Sequence, residues 1–158
     1  MYLTSSGFAK GQSVPRKFTC EGENISPDFH WENAPEDTKS FALVLHDPDA
    51  PRPGGFTHWV LFDIPASVKR IPENIPKSQE RIPDLGVQGK NDSGKLGYTG
   101  PCPPSGTHRY FAKLYALRRE LGLTPGASQQ ELESAMDGCV IEEAEIMSTY
   151  AKASVKSA

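Results

Sequence analysis

Patterns typical of β-strands dominate the chain. Two continuous apolar runs, at residues 41–46 and 58–64, indicate strands that are buried on both faces. The segment His108–Leu117 alternates instead, which places the side chains of its even-numbered and odd-numbered residues on opposite faces. Shorter strands are predicted at residues 16–19 and 28–31.

One segment near the C-terminal end has helical periodicity. Ser128 and Glu131 have the spacing of a capping box, in which each side chain bonds the backbone N–H of the other residue. Apolar residues then recur at helical spacing, so a helix is predicted from about residue 128 to residue 137, and Gly138 is suited to end it. Residues 145–151 are predicted to form a final strand, with a continued helix as the alternative.

These elements fit one mainly β domain over residues 1–158, and a chain of this length can bury a substantial core. Residues 65–107 are predicted to be almost all loop, in a chain with 14 glycines and 14 prolines. An irregular stretch of this length inside a compact domain is usually functional. It leads directly to His108.

Composition narrows the classes of partner. The net charge is -3 and the basic residues are scattered, so we do not expect a nucleic-acid-binding protein. No apolar stretch is long enough to span a bilayer, and the N-terminal residues lack the pattern of a secretory signal. We therefore expect a cytoplasmic protein without a transmembrane segment.

The three cysteines, Cys20, Cys102 and Cys139, lie far apart in the sequence. An odd number at wide spacing is a poor disulfide framework and a poor zinc motif, so we expect reduced thiols. Because Cys102 lies in a Pro-rich loop, the alternative is that its thiol is exposed and reactive.

Candidate chemistry is concentrated at the ends of the predicted strands. The first apolar strand ends in D-P-D-A-P, residues 47–51, whose prolines stiffen the turn and whose X-Pro bonds are candidates for the cis form. His58 begins the next strand after two glycines, and His108 begins the alternating strand after a Gly/Pro-rich loop. Alone, the carboxylates are equally well explained by capping of the turn, and a single histidine at a strand start is more often structural. Together they lie beside glycine loops at strand ends, where ligand sites are common.

Several segments together carry a resemblance to a known family. They are F-T-C-E-G-E-N-I-S-P (residues 18–27) with Trp31, D-P-D-A-P (residues 47–51), H-W (residues 58–59), G-T-H-R-Y (residues 106–110) and Tyr150 near the end. In this combination the chain resembles the phosphatidylethanolamine-binding proteins, and in particular their bacterial and archaeal branch. The resemblance covers essentially the whole chain.

The resemblance implies both a fold and a site. The fold has a large central antiparallel sheet, a smaller sheet packed on it and one or two helices. The family's pocket binds phosphate, phosphate-like anions or the head group of phosphatidylethanolamine. The positions of this chain that match its ligand-binding residues are Asp47, Asp49, Pro51, His58, Gly100, His108 and Tyr110.

The chemistry of these residues suits an anion. His58, His108 and Tyr110 can donate hydrogen bonds, and Gly100 can offer a backbone N–H at short range. Asp47 can orient a histidine ring and favour its protonated form, or it can bind the ammonium end of a zwitterionic ligand. We therefore expect anion affinity to rise as the pH falls through the range in which histidine titrates.

Arg109 alternates away from the face that carries His108 and Tyr110. We therefore expect its guanidinium group to form an ion pair with an acidic loop rather than to contact the ligand.

Two other kinds of function compete with simple anion binding. Some members of the family inhibit kinases or proteases, so docking of a phosphorylated protein at the pocket mouth is one alternative. The oligomeric state is a separate question, and a monomer and a homodimer are both compatible with the sequence. A divalent metal site is the other, although we expect no metal and no cofactor because D-P-D is not part of an EF-hand loop. Its ligands would be Asp47, Asp49, His58 and His108.

A hydrolase is a further alternative. Either candidate histidine could act as a base, with Ser105, Thr107 or Cys102 as the nucleophile. No G-x-S-x-G motif is present, and Ser105 lies in a Pro-Ser-Gly turn that needs no catalytic explanation. We therefore expect a protein that binds its ligand without catalysis.

Overall fold

The computed structural model describes residues 1–153, and residues 154–158 of the predicted domain lie outside the described residues. Nine strands and one α-helix follow one another in this part of the chain. The strands are β1 (Tyr2–Thr4), β2 (Phe29–Glu32), β3 (Ser40–Asp47), β4 (Phe56–Pro65), β5 (Arg70–Ile71), β6 (Arg81–Ile82), β7 (Gly86–Gln88), β8 (His108–Leu117) and β9 (Val140–Tyr150). Helix α1 (Gln129–Met136) lies between β8 and β9.

The strands form two antiparallel sheets. The large sheet has the order β6-β7-β4-β3-β8-β9, and the small sheet has the order β1-β2-β5. The predicted fold class, a mainly β chain with a large antiparallel sheet, a smaller sheet and a helix, is confirmed.

The centre of the large sheet is buried on both sides. On one face, Phe41 and Trp59 pack with Trp31 of the small sheet. On the other face, Val44 packs in a second cluster with Leu132 of α1. Because β3 and β4 lie between these two clusters, their central residues, 41–45 and 59–62, are all apolar.

The capping box at the start of α1 is confirmed. The Glu131 N–H donates to Ser128 Oγ over 3.1 Å, and the Ser128 N–H donates to Glu131 Oε1 over 2.9 Å. Leu132 and Met136 are buried, and the helix ends before Gly138, whose φ of 76° lies in the region that favours glycine. Within residues 1–153 no helix is long and apolar enough to cross a membrane.

The final strand is confirmed, and it begins earlier than predicted. Strand β9 starts at Val140 rather than near residue 145. Its first half lies at the edge of the sheet, has no buried residue and contains Glu142 and Glu143. Because an edge strand needs few apolar residues on its open side, this half carries no clear hydrophobic pattern.

The strand predicted at residues 16–19 is wrong. Arg16–Phe18 forms a 3-10 helix that follows Pro15, and both the N–H and the hydroxyl of Thr19 donate to the Arg16 carbonyl over 2.9 Å. Pro15 fixes its own φ near the helical value, and Thr19 closes the turn, so the segment folds back instead of extending. Phe18 is fully buried by this turn.

The long segment before His108 is mostly irregular, as predicted, but it contains three short strands, β5, β6 and β7. The peptide bonds before Pro48 and Pro51 are trans, since no cis bond occurs within residues 1–153. The cis form considered for the D-P-D-A-P turn is therefore wrong.

The expectation that the cysteines are reduced is also wrong for two of them. Cys20 and Cys102 form a disulfide, so the alternative of a reactive Cys102 thiol is excluded in this form of the protein. The Cys20 N–H also donates to the Pro101 carbonyl over 3.1 Å. The folded-back 3-10 segment brings together two cysteines 82 residues apart, which their spacing alone could not reveal. In a chain-entropy estimate, closing a loop of this length stabilises the protein by about 4.5 kcal/mol.

Candidate functional site

The ends of three neighbouring strands, β3, β4 and β8, meet at one end of the large sheet. Asp47 at the end of β3 pairs with Phe56 at the start of β4, and His46 pairs with Phe111 near the start of β8. The turn after β3 and the Pro-rich loop before β8 surround this end of the sheet. They enclose a cavity of ≈ 250 Å³, and the predicted ligand-binding residues that line it are Asp47, Pro51, His58, Gly100 and His108.

A β-bulge directs His58 toward this cavity. Leu45 of β3 pairs with Trp59, whereas the next residue, His46, pairs with Thr57, so His58 is the extra residue on β4. With regular alternation His58 would lie on the same face as Val60, which packs in the cluster beneath α1. The bulge resets the alternation and brings the His58 ring into the cavity lining.

Thr99 holds the His58 ring from the neighbouring loop. His58 Nδ1 lies 2.7 Å from the Thr99 carbonyl oxygen, and the Thr99 N–H donates to the His58 carbonyl over 3.0 Å. The residue is only 5% exposed, and burial lowers the pKa of His58 to about 4 despite the opposing effects of the Thr99 bond and of Asp47. The ring is therefore neutral near pH 7, unlike the charged donor expected from the sequence.

Asp47 is bonded to the second histidine. His108 Nδ1 donates to Asp47 Oδ2 over 2.7 Å, and Asp47 Oδ1 accepts the backbone N–H of Asp49 over 2.7 Å. Both side chains are almost fully buried. Asp47 therefore orients the His108 ring and leaves Nε2 for a ligand, while neither carboxylate oxygen is left without a protein donor.

Asp49 is bonded to Arg109 outside the cavity lining. The Arg109 Nε and Nη2 atoms each lie 2.9 Å from an Asp49 carboxylate oxygen, and the Arg109 backbone N–H also donates to Asp49 Oδ2. These bonds hold the pKa of Asp49 at about 2. The ion pair predicted for Arg109 is thus present, and the site places Asp49 in it rather than at the cavity.

Tyr110 lies behind the two histidine rings. Its ring centroid is 5.3 Å from that of His58 and 6.4 Å from that of His108. The residue is 1% exposed, its hydroxyl has no hydrogen-bond partner within residues 1–153, and burial raises the pKa of Tyr110. The hydroxyl is a sealed donor close to the cavity, although Tyr110 does not itself line the cavity.

Gly100 lines the cavity, but the expected backbone donor is occupied. Its N–H donates to Asn24 Oδ1 over 2.7 Å, so the prediction that this N–H is available to an anion is wrong in this geometry. A Cβ on Gly100 would lie 2.2 Å from the Phe18 carbonyl oxygen. The glycine therefore permits the close approach of the Pro-rich loop to the 3-10 segment.

Sequence reasoning missed the exposed cation of the site. Arg52 lines the cavity, and its guanidinium group lies 5.6 Å from the ring centroid of Phe56, another lining residue. No ion pair found among residues 1–153 includes Arg52. Its position directly after the D-P-D-A-P motif was the signal that pointed to it, because a side chain on a rigid turn beside a site is well placed to contact a ligand.

The groups required by the rival chemistries lie as follows. The Cys102 sulfur, one candidate nucleophile, is bonded to Cys20, and Ser105 and Thr107 are exposed on the loop before β8. In the part of the chain that the structure describes, no group of three or more His, Cys, Asp or Glu side chains is arranged to hold a metal ion.

Comparison with known proteins gives matches over almost the whole chain. A family profile described as phosphatidylethanolamine-binding protein matches residues 4–151. A protein of Methanothermobacter thermautotrophicus named UPF0098 protein is 49% identical over 95% of this chain and 98% of its own length. A protein of the same name from Aquifex aeolicus is 47% identical over 95% of this chain and 88% of its own length.

Two crystal structures show the same architecture. A homologue of phosphatidylethanolamine-binding protein from Chlamydia trachomatis superimposes with a TM-score of 0.87, at 37% identity over 96% of this chain and 97% of that chain. YbcL of E. coli, described as a member of the mammalian PEBP family, superimposes with a TM-score of 0.89, at 34% identity over 95% and 97% of the two chains.

Proposed function

Because the chain belongs to the phosphatidylethanolamine-binding protein family, a family of ligand-binding proteins, we propose that its cavity captures phosphate or a phosphorylated group. The observation that carries this proposal is that the buried Asp47–His108 pair and the cation Arg52 line the same cavity. Asp47 fixes the ring of His108 and partners its charge when the ring is protonated, and Arg52 supplies a permanent positive charge.

The size and composition of the cavity also favour a compact anion. At ≈ 250 Å³ it is slightly smaller than the usual range for drug-sized ligands, so a phosphate group with a few attached atoms fits it better than a whole lipid. Its walls combine the rings of Phe56 and of several prolines with a few polar groups. Because the Asp47–His108 pair is almost fully buried, water screens its interaction with an anion less than it screens that of the exposed Arg52.

Titration of the protein with inorganic phosphate, followed by calorimetry and by NMR, tests this proposal. We expect saturable binding that His108→Ala weakens by at least about tenfold, because the variant removes a ring that donates a charge-assisted hydrogen bond to the anion when it is protonated. His30→Ala is the matched control, since His30 lies half-exposed on β2 of the small sheet, and it should leave the affinity unchanged. Equal phosphate affinity for His108→Ala and wild type, with both folded, would contradict the proposal.

A further inference from the structure

The hydrogen bond to Thr99 determines which nitrogen of the His58 ring carries the proton. A carbonyl oxygen can only accept, so His58 Nδ1, 2.7 Å from the Thr99 oxygen, must carry a proton. In a neutral ring the other nitrogen, Nε2, then has a lone pair and can only accept a hydrogen bond. Within residues 1–153, two side-chain polar atoms are shielded from solvent and lack a hydrogen-bond partner, namely Trp31 Nε1 and Tyr110 Oη. His58 Nε2 is not one of them, so it is accessible. It is the ring nitrogen left for a ligand.

The surroundings keep this ring neutral. It packs against the rings of Phe56 and Tyr110, and the charged or titratable groups around it are Asp47 and His46 on β3 and Asp92 after β7. The two carboxylates favour a protonated ring and His46 opposes it, but burial is the largest effect. In the ligand-free protein the ring is thus neutral near pH 7, and its Nε2 is an acceptor.

The hydrogen-bond donors available to an anion at the cavity come from other residues. The guanidinium group of Arg52 can only donate. Because His108 Nδ1 donates to Asp47, Nε2 of His108 donates only when the ring carries both protons and otherwise accepts, as His58 Nε2 does. Both oxygens of Asp47 already accept protein hydrogen bonds. An anion held by the donors therefore also meets one fixed acceptor, and an anion oxygen facing the lone pair of His58 Nε2 would be repelled.

We propose that the cavity selects an anion that carries its own proton, namely inorganic phosphate or a singly protonated phosphate monoester, whose P–OH group donates to His58 Nε2. This inference rests on the proposed function and narrows it. Phosphodiesters, including the diester group of a phospholipid, carry no such proton, and neither does sulfate near neutral pH. The ligand class is therefore the phosphate monoester rather than the phosphodiester.

Competition between anions of matched shape tests this selectivity. At about pH 8, inorganic phosphate is mainly a dianion with one proton, so it equals sulfate in charge and shape but not in donor capacity. We expect calorimetry to show phosphate binding at least about tenfold more tightly than sulfate or dimethyl phosphate, because each of these leaves His58 Nε2 unsatisfied and facing an anion oxygen. Between about pH 8 and pH 6 the affinity for methyl phosphate should rise more than that for dimethyl phosphate, because only methyl phosphate gains a proton over this range.

A variant at His58 separates this effect from the rest of the site. In His58→Asn the amide can keep the bond to Thr99 but has no atom at the Nε2 position, so the preference for phosphate over sulfate should fall to within about threefold. His30→Asn on β2 is the matched control and should keep the full preference. Nitrogen NMR of wild type should show His58 protonated at Nδ1 and not at Nε2 at pH 7, and this measurement does not depend on the variant folding.

The outcomes distinguish the two proposals. Equal binding of phosphate and sulfate, or of phosphate and dimethyl phosphate, would leave anion capture standing and overturn the selectivity for a protonated anion. A His58 ring protonated at Nε2 would overturn the selectivity in the same way. Failure of every anion to bind would overturn both the selectivity and the proposed function.

Discussion

Adjacent residues at the start of β8 bind carboxylates that lie two residues apart in the turn after β3, and alternation sends the two pairs to opposite faces of the sheet. The inner pair is Asp47 and His108, with 2.7 Å between the bonded atoms, and the outer pair is Asp49 and Arg109, with 2.9 Å. The side chains of the inner pair are 4% and 9% exposed, whereas those of the outer pair are 29% and 52% exposed.

The two ion pairs join the same two segments, and their difference in burial gives them different roles. Water screens the outer pair and can replace either partner, and both Asp49 oxygens are bonded to Arg109. The inner pair lies where water cannot replace a lost partner, and it leaves His108 Nε2 for a ligand. The outer pair therefore holds the turn after β3 against the start of β8, while the inner pair orients the ring of His108.

Removal of the inner carboxylate should have the largest effect. Asp47→Ala leaves His108 Nδ1 and the Asp49 N–H without their acceptor in a buried site, so we expect the free energy of unfolding to fall by about 4 kcal/mol. Urea unfolding at pH 7 measures this loss, with Asp49→Ala as the matched control on the outer face. A cost no greater than that of the control would show that burial does not distinguish the two pairs.

Acid should destabilise the inner face through His58. The folded pKa of about 4 lies below the ordinary value of 6.5, so between these pH values the unfolded chain binds more protons than the folded one. Stability from this residue is complete above about pH 6.5, and about 3 kcal/mol of it is lost as the pH falls to about 4.

Unfolding free energies at pH 7 and pH 4.5 measure this loss, and His58→Asn, which cannot titrate, should lose less stability between them than wild type. The outer pair does not confuse the result, because Arg109 keeps Asp49 ionised throughout this range. The same acid sensitivity in His58→Asn and wild type would mean that another group causes it.

Hydrophobic pattern and local capping rules were sufficient to predict the long strands and the helix, whereas the arrangement in two sheets was predicted from the family resemblance. Strand β8 has the predicted bounds, and α1 begins at the predicted capping box, because both signals depend on residues that are close in sequence. The 3-10 turn at Arg16–Phe18 was missed because its side chains also suit a strand, and the bonds that close it come from Thr19.

Residue types in the site were easier to predict than their hydrogen-bond partners. Strand-end placement pointed to Asp47, His58 and His108, which the fold brings together. The bulge that turns His58, the Thr99 carbonyl that sets its polarity and the Asn24 amide that occupies the Gly100 N–H are contacts between distant segments. No local pattern encodes them, so a sequence interpretation gives His58 and Gly100 to the anion as donors when neither is available as one.

Removal of the outer carboxylate should have the smallest effect. Asp49→Ala breaks an exposed ion pair whose partner remains hydrated, so we expect the melting temperature to fall by no more than about 3 °C. Phosphate affinity measured by calorimetry should stay within about twofold of wild type, because Asp49 lies outside the cavity lining and His108 keeps its bond to Asp47. Arg109→Ala, which removes the same pair from its other side, should behave alike in both measurements. A larger loss of phosphate affinity in Asp49→Ala alone would mean that Asp49 reaches the ligand, as the family resemblance implies, and that the two faces are not functionally separate.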